Sequence, residues 1–219
     1  MLKAIIFDLD GTILDTETPE FISWQEAYAA RGVALDPDIW AQGIGTADAS
    51  WDPYDHLETL IGGPIDRATL RTTREARFDE LMDAAEPRDG ILAWLDEARE
   101  LGLRVGLASS SGVDWVTRFL EALGLRDRFE SLATRERVTH SKPAPDLYEL
   151  ALNEPGVMAA EALAVEDSPN GVAAAKAAGM FCVAVPNPQT ARLPLHGADL
   201  VLGSLAERSI REVAELLKA

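Results

Sequence analysis

The chain has 219 residues, 47% of them hydrophobic, and a formal net charge of −17. This size and composition exclude a disordered or fibrous protein, and they allow one large core with a smaller insert. The negative charge argues against nucleic acid or an anionic membrane surface as a partner. The N-terminal apolar run is too short for a signal peptide, and no apolar stretch is long enough to span a bilayer.

Cys182 is the only cysteine, and it lies in the strand-like run MFCVAV, where we expect a small buried side chain. A single cysteine cannot form a disulfide within the chain. We therefore expect a cytoplasmic protein that binds neither nucleic acid nor membranes. One core with a modest insert needs no partner to fold, so we also expect a monomer.

The first predicted element is a buried strand over residues 3–8, at the start of KAIIFDLDGTILDTE. It ends in Asp8 and Asp10, whose side chains point to one side because side chains alternate along a strand. Two buried carboxylates are costly unless a cation lies beside them. The pattern D-x-D-G is ambiguous alone, since it also occurs in turns and calcium loops. No further acids follow at calcium-loop spacing, which favours a catalytic role.

Residues 16–84 show no convincing strand and predict an all-helical insert. Thr18 is the predicted N-cap of its first helix, and Pro19 the first helical residue. A later helix is predicted over residues 67–84, with its arginines and acids on a solvated face. We therefore divide the chain into a core domain, residues 1–15 and 85–219, and an inserted domain, residues 16–84.

The rest of the chain alternates between helices and strands. Strands are predicted over 103–108, 162–165, 180–185 and 199–201, and helices over 91–100, 113–123, 146–152 and 171–178. This alternation predicts an α/β fold with a doubly wound parallel sheet. In such sheets, ligands bind at the carboxyl ends of the strands.

Polar residues follow the predicted strands 103–108 and 162–165, and a lysine lies in a proline-rich turn between these two strands. Ser109 ends one strand and Asp167, after Glu166, ends the next, while Lys142 lies in HSKPAPD. Simpler interpretations are a helix-capping serine, an N-cap acid and an exposed lysine. Lysine is scarce in this acidic chain, and two adjacent acids exceed what capping needs, so we favour a shared site.

Together these residue types can support phosphoryl transfer. Mg²⁺ prefers oxygen ligands, which Asp8, the backbone carbonyl of Asp10 and Asp167 could provide. The ion and Lys142 would spread the charge of a transferring phosphoryl group. One carboxylate can then act as a nucleophile, while a second protonates the leaving oxygen and later activates water.

The segments FDLDGT, LASSS, SKPAPD and VEDSPNG, in this order, resemble the four signature motifs of the haloacid dehalogenase-like hydrolase superfamily. The resemblance covers residues 3 to about 185, and the helical insert resembles the family's four-helix cap. It implies a Rossmann-like core and a place near the phosphoglycolate phosphatase and β-phosphoglucomutase-like branch. The implied activity is Mg²⁺-dependent hydrolysis of a small phosphorylated metabolite through an aspartyl phosphate.

The resemblance also implies roles for individual residues. Asp8 would be the nucleophile and Asp10 the general acid and base. Ser109 and the Ser110 backbone would bind the phosphoryl group, and Lys142 would hold both the nucleophile and the phosphate.

For the metal, the resemblance implies Asp8, Asp10 and Asp167 as ligands, with Glu166 in or near the metal shell. In the insert, we expect most aromatic side chains to form its own core. Glu20 and Trp24 are the two residues that we expect to face the site and contact the substrate.

A sugar phosphomutase is the main alternative. Its hinge histidine is replaced here by Glu20, and its cap lysine and arginine by Gln42 and Thr46. The pair Gly112-Val113 replaces its lysine–asparagine pair. Those groups hold the second phosphate of a bisphosphate, so their loss favours a phosphatase.

Other members of the superfamily fit less well. Asp10 argues against a dehalogenase, which lacks an acid there. The insert contains no lysine for the Schiff base of a phosphonate hydrolase. A noncatalytic binding protein of the same fold is the third hypothesis, and the four intact motifs argue against it.

Overall fold

The structure is a computed structural model that describes residues 1–41, 43–44, 51–153 and 156–216. Gln42 and Thr46, which bear on the phosphomutase comparison, lie outside these residues. No helix within the described ranges is both long and apolar enough to cross a membrane.

One parallel sheet forms the centre of the core. Its strands lie in the order β3-β2-β1-β4-β5-β6, and every neighbouring pair is parallel. This confirms the predicted α/β fold with a doubly wound sheet. The strands are β1 (Ala4–Phe7), β2 (Arg104–Ala108), β3 (Ser131–Ala133), β4 (Ala162–Glu166), β5 (Phe181–Ala184) and β6 (Leu200–Val201).

The helices fall into two groups along the chain. Between β1 and the rest of the core lie α1 (Glu17–Ala29), α2 (Pro37–Ala41), α3 (Pro53–Ile61) and α4 (Arg67–Met82). We call this segment the helical insert. The later helices are α5 (Ile91–Glu100), α6 (Val113–Ala122), α7 (Asp146–Asn153), α8 (Pro169–Ala177) and α9 (Ile210–Leu216).

Strand β1 is apolar throughout because both faces of the sheet are covered. Ile5 and Phe7 pack in the cluster that contains α5, α6 and α9. Ala4 and Ile6 point to the other side, into the cluster that contains α7 and α8. A strand buried on both faces reads as a continuous apolar run, as residues 4–7 do.

The strand order places β1 between β2 and β4. Strands β2 and β3 lie on one side of β1, and strands β4, β5 and β6 lie on the other, so the direction in which strands are added reverses at β1. Such a reversal of strand order opens a crevice beyond the carboxyl ends of the strands. Asp8, Ser109 and Asp167 each follow one of these three strands directly. The topology therefore brings the three sequence motifs to one edge.

The helical insert has an apolar cluster of its own and a second contact with the core. Its own cluster contains most of the insert's aromatic residues, namely Phe21, Trp24, Tyr28 and Trp40, with Trp51 and Tyr54 against them. A smaller cluster joins Phe78 and Met82 of α4 to Leu14 and to Phe119 of α6. The insert thus packs against α6 beside the crevice.

Two local predictions are wrong. Helix α1 begins at Glu17 with Thr16 as N-cap, so Thr18 and Pro19 lie inside the helix. The reason is that Asp15, one turn earlier, accepts the backbone N–H of Thr18 at 3.0 Å. Strand β3 was not predicted, since its three residues are too few to show a periodic pattern.

Candidate active site

Lys142 lies at the centre of the charged groups at the sheet edge. Its Nζ is 2.6 Å from Oδ1 of Asp8 and 2.6 Å from Oε1 of Glu166. The side chain is only 2% exposed, so the interpretation as an exposed lysine is wrong. Burial alone would lower the pKa of Lys142, but the carboxylates of Asp8 and Glu166 together raise it. The lysine therefore stays charged beside Asp8.

Asp8, Glu166 and Asp167 form a buried acidic group. Among the described residues, these three are close enough together to hold one metal ion, because one carboxylate oxygen from each lies within 4.8 Å of the others. Burial raises the pKa of Asp8 to about 7, opposed by Lys142 and reinforced by Glu166 and Asp10. Burial, with Asp8 and Glu166 nearby, also raises the pKa of Asp167 well above its usual value. A divalent cation would relieve this repulsion, so the donor set fits one.

Asp167 is fixed by a residue that the sequence analysis did not single out. Asn187 donates from Nδ2 to Oδ2 of Asp167 at 2.6 Å. Gly11 lies against the same two side chains with φ of 79°, a region that favours glycine. A Cβ at Gly11 would collide with both of them. The glycine of the D-x-D-G motif is therefore required by this close approach.

Asp10 lies in a cradle of hydrogen-bond donors. Oδ1 accepts from Thr16 Oγ1 at 2.9 Å and from the indole N–H of Trp115 at 2.8 Å. Oδ2 accepts from Ser111 Oγ at 2.6 Å and, more weakly, from Ser109 Oγ at 3.4 Å. These donors fix the orientation of the carboxylate. A contact of Asp10 with a metal ion through its backbone carbonyl stays a prediction.

The serines after β2 do not serve as helix caps. The N-cap of α6 is Gly112, which makes no side-chain cap. Ser109 instead accepts the backbone N–H of Ser111 at 3.0 Å. Ser110 lines the crevice, and its buried hydroxyl has no partner among the described residues. An unpaired hydroxyl at this place is suited to bind an anion.

Asp167 is not the cap of the following helix either. Ser168 is the N-cap of α8 and accepts the backbone N–H of Gly171 at 3.1 Å. Glu166 is also occupied: Oε1 accepts from Lys142 and from the hydroxyl of Tyr148 at 2.6 Å, and Oε2 from the Asp167 backbone. Asp8 and Asp167 thus retain the freer oxygens of the acidic group.

A cavity of about 970 Å³ lies between the sheet edge and the helical insert. The core contributes Asp8, Asp10 and Lys142 to its wall, and the insert contributes Glu20 and Trp24. The two residues expected to face the site are therefore in its lining. The volume is large enough for a small phosphorylated metabolite.

Glu20 and Trp24 are joined by Arg74 of α4. Arg74 Nη1 lies 2.7 Å from Glu20 Oε2, and its guanidinium lies 4.9 Å from the ring centroid of Trp24. The Arg74 side chain is 12% exposed, so α4 does not present all its charges on a solvated face, and that part of the prediction is wrong. Glu17, also in the cavity wall, has its pKa raised by burial and by Asp10.

Besides Asn187, sequence reasoning missed three further contributors to the site: Ser111, Trp115 and Arg74. Ser111 was visible as the third serine of LASSS but had no assigned role. Trp115 lies in the first turns of α6, and its bond to Asp10 joins residues that are 105 positions apart. Arg74 and Glu20 are 54 positions apart. No periodic pattern could reveal either contact.

Several known proteins are similar to this chain along most of its length. A Bacillus subtilis protein named Putative phosphatase YhcW is 45% identical over 210 residues, which cover 96% of this chain and 95% of that protein. The crystal structure of CbbY from Rhodobacter sphaeroides in complex with phosphate has a TM-score of 0.72 and 32% identity, and covers 94% of this chain and 96% of that one. The β-phosphoglucomutase of Bacillus subtilis is 29% identical, covering 98% of this chain and 95% of that protein.

The family itself is identified by a match along most of the chain. The family model described as haloacid dehalogenase-like hydrolase matches residues 5–185, from β1 to just beyond β5. This range contains all four motifs and the whole helical insert. The chain therefore belongs to the haloacid dehalogenase-like hydrolase family.

Proposed function

We propose that the protein is a Mg²⁺-dependent phosphatase that hydrolyses a small phosphomonoester through an aspartyl phosphate on Asp8. The contact of Lys142 with Asp8, within the buried acidic group that also contains Asp167, carries this proposal. A charged lysine and a candidate metal site thus lie next to the carboxylate that we propose as the nucleophile. The 45% identity to a protein named as a phosphatase supports the same assignment.

Asp8 is the nucleophile in this mechanism. One of its carboxylate oxygens attacks phosphorus, and the bond from phosphorus to the ester oxygen breaks. Lys142 favours the ionised form of Asp8, against the effect of burial, and offers its charge to the phosphoryl oxygens. Ser109 and Ser110 bind the same oxygens through hydroxyl and backbone N–H groups.

Asp10 moves the proton in both half-reactions. It first protonates the departing ester oxygen and then takes a proton from the water that attacks the aspartyl phosphate. The donors around its carboxylate hold it in one orientation for both steps. Proton transfer needs such fixed geometry, because it occurs only within hydrogen-bond reach.

The metal ligands that we propose are Asp8, the backbone carbonyl of Asp10, and Asp167, with Glu166 in the surrounding shell. Bound Mg²⁺ would neutralise the acidic group and the charge of the phosphoryl group. Asn187 orients Asp167 toward this task. Glu166 acts through Lys142, whose position it fixes.

The helical insert acts as a cap domain in this proposal. We assign residues 16–84 to the cap and residues 1–15 and 85–219 to the catalytic core. Glu20 and Trp24 would contact the part of the substrate beyond the phosphoryl group. A cap over the crevice would also exclude water during the first step.

A sugar phosphomutase remains the second candidate because a β-phosphoglucomutase is among the relatives. The replacement of its basic and amide groups by Glu20 and by Gly112-Val113 argues against it. A mutase would interconvert a hexose 1-phosphate and a hexose 6-phosphate with little free phosphate. A phosphatase would release phosphate from both.

The test is phosphate release from a panel of phosphomonoesters, with Mg²⁺ and with a chelator. We expect activity that the chelator abolishes and Mg²⁺ restores. Asp8→Asn should be inactive, while Asp127→Asn, an exposed acid outside the cavity, should match the wild type. Full activity in the chelator or in Asp8→Asn would refute the mechanism.

A further inference from the structure

The cavity wall is rich in acids beyond the residues that perform the chemistry. Those that line it on the insert side are Glu17, Glu20, Glu75 and Asp79, and on the core side Asp114 and Glu136. Residues 42 and 45–50, which lie outside the described ranges, include one charged residue, Asp48, and no lysine or arginine. A substrate that carries a second anionic group would therefore enter an unfavourable field.

The cations of the wall are mostly neutralised by partners. Lys142 lies between two carboxylates. Arg118 is paired with Asp79 at 2.7 Å. Arg135 lies on an exposed turn at the rim, where water and salt screen its charge.

Arg74 is the one insert cation among the described residues of the wall, and it is paired with Glu20. Arg74 Nη1 is 2.7 Å from Glu20 Oε2, while the other oxygen of Glu20 accepts the indole N–H of Trp24 at 3.3 Å. The guanidinium also lies over the Trp24 ring. Arg74 uses only Nη1 for Glu20, and its buried Nε has no partner within the described residues. A second anion that bound the remaining guanidinium N–H groups would still lie beside the carboxylate of Glu20, whose negative charge offsets that of Arg74.

Glu17 offers a different kind of contact. Its carboxyl lines the cavity and makes no hydrogen bond or ion pair within the described part of the chain. A carboxyl without a partner is suited to a hydroxyl group, which can both donate and accept. The wall therefore presents polar groups without a net positive charge.

We propose that the Glu20–Arg74 pair selects phosphomonoesters whose remaining part is uncharged and hydroxylated, such as sugar or polyol phosphates, over those with a second anionic group. This selectivity rests on the proposed phosphatase activity at the same site. Glu20 cancels the charge that would attract the second anion, and Glu17 and the paired side chains take up hydroxyl groups.

The test compares substrates that differ only in the distal group. Two matched pairs serve: glycerol 3-phosphate with 3-phosphoglycerate, and sorbitol 6-phosphate with 6-phosphogluconate. In each pair, an uncharged group is replaced by a carboxylate on the same carbon skeleton. For the wild type, we expect kcat/KM to be at least about tenfold higher for the uncharged member. This factor corresponds to the free energy of one hydrogen bond to a charged group, which the carboxylate member would not gain from the wall.

Glu20→Gln tests the pair directly. It should leave the charge of Arg74 without a neighbouring carboxylate. We therefore expect kcat/KM of the carboxylate member, relative to that of the uncharged member, to rise about tenfold. The double variant Glu20→Gln/Arg74→Gln should lose that gain. Because each ratio is measured on one preparation, it does not depend on how much of the variant is folded.

The matched control is Glu26→Gln. Glu26 pairs with Arg77 at 2.9 Å, also between α1 and α4, but outside the cavity wall. This variant changes the net charge equally and should leave the ratio unchanged. A wild type that prefers the carboxylate members, or a Glu20→Gln ratio equal to that of Glu26→Gln, would overturn the selectivity. Absence of phosphate release from every substrate would instead overturn the proposed function.

Discussion

Lys142 brings one positive charge to three buried carboxylates, those of Asp8, Glu166 and Asp167. One ammonium group cannot balance three negative charges at this depth. The excess is visible in the carboxyl groups, because burial and their mutual repulsion raise the pKa of Asp8 and of Asp167. The site therefore holds protons that a metal ion would displace.

This excess predicts a metal effect that depends on pH. Between the unfolded pKa of Asp8, 3.8, and its folded value of about 7, the folded protein binds more protons than the unfolded chain. These groups therefore lower the stability of the metal-free protein as pH rises through this window. We expect Mg²⁺ to raise Tm by several degrees at about pH 7.5 and by much less at about pH 5.

The measurement is thermal unfolding at both pH values, with Mg²⁺ and with a chelator. Asp167→Asn removes a proposed ligand and should abolish the shift, while Asp127→Asn should keep it. An equal Mg²⁺ shift at both pH values would contradict the linkage between protons and metal.

The hydrogen bond from the indole N–H of Trp115 to Asp10 leads to a second prediction, which concerns proton transfer. Trp115→Phe removes the N–H that Asp10 accepts at 2.8 Å but keeps an aromatic ring against Phe78 and Phe119. We expect kcat/KM for an alkyl phosphate to fall about tenfold, since its alkoxide needs a proton from a well-oriented acid. For p-nitrophenyl phosphate, whose leaving group needs no proton, the fall should be small.

The control for this prediction is Phe78→Leu, which alters the packing around Trp115 but leaves its N–H. It should change kcat/KM for both substrates by a similar factor. If Trp115→Phe also affected both substrates equally, its hydrogen bond would have no special role in orienting Asp10.

Among the helices, α8 packs closely against the site at Gly171, beside the carboxylate of Glu166. A Cβ at this position would collide with the carboxylate of Glu166, which holds Lys142 in place. Alanine normally stabilises a helix relative to glycine by about 1 kcal/mol. Here the contact reverses that preference, because the buried carboxylate cannot move without losing Lys142 and Tyr148.

We therefore expect Gly171→Ala to lower the free energy of unfolding by about 2 kcal/mol or more and to reduce kcat. Thermal or urea unfolding together with phosphate release measures both effects. Gly63→Ala is the matched control, because a Cβ at Gly63 meets nothing within 4 Å. Its stability should change little. A neutral Gly171→Ala would show that Glu166 has room to shift.

The elements that sequence predicted correctly are those with a clear pattern. Strand β1 shows an unbroken apolar run, and α6 carries its buried residues on one face. Strand β3 escaped prediction because it has only three residues and gains its place by pairing with β2. The start of α1 was missed because Asp15 competes with Thr18 for the role of cap.

The residues of the candidate site also fall into those that could be predicted from sequence and those that could not. Asp8, Ser109 and Asp167 could be predicted together, because the carboxyl ends of parallel strands meet at one sheet edge. Trp115 and Arg74 could not, since their contacts depend on how the insert and α6 pack. Sequence patterns thus locate the residues at the sheet edge, whereas the contacts between the insert and the core follow from tertiary packing.

For the whole molecule, the net charge of −17 opposes the approach of any anionic substrate. Salt screens this repulsion, as the Debye length falls from about 30 Å at 0.01 M to about 8 Å at 0.15 M. We therefore expect kcat/KM for glycerol 3-phosphate to rise severalfold over this range at saturating Mg²⁺.

Steady-state rates in sodium chloride and in choline chloride measure the effect. Equal rises in both salts would identify screening rather than a specific ion. A fall with salt would show that the local field of Lys142 and the metal exceeds that of the whole molecule.

The position of β1 also governs the order in which the protein is assembled. β1 is made first, yet its two neighbours are β2, about 100 residues later, and β4, about 160 residues later. During synthesis, the helical insert can pack around its own aromatic cluster before β2 and β4 are available to pair with β1. Asp8 and Asp167 can therefore come together only after the ribosome has passed β4, so the candidate site is completed late in synthesis.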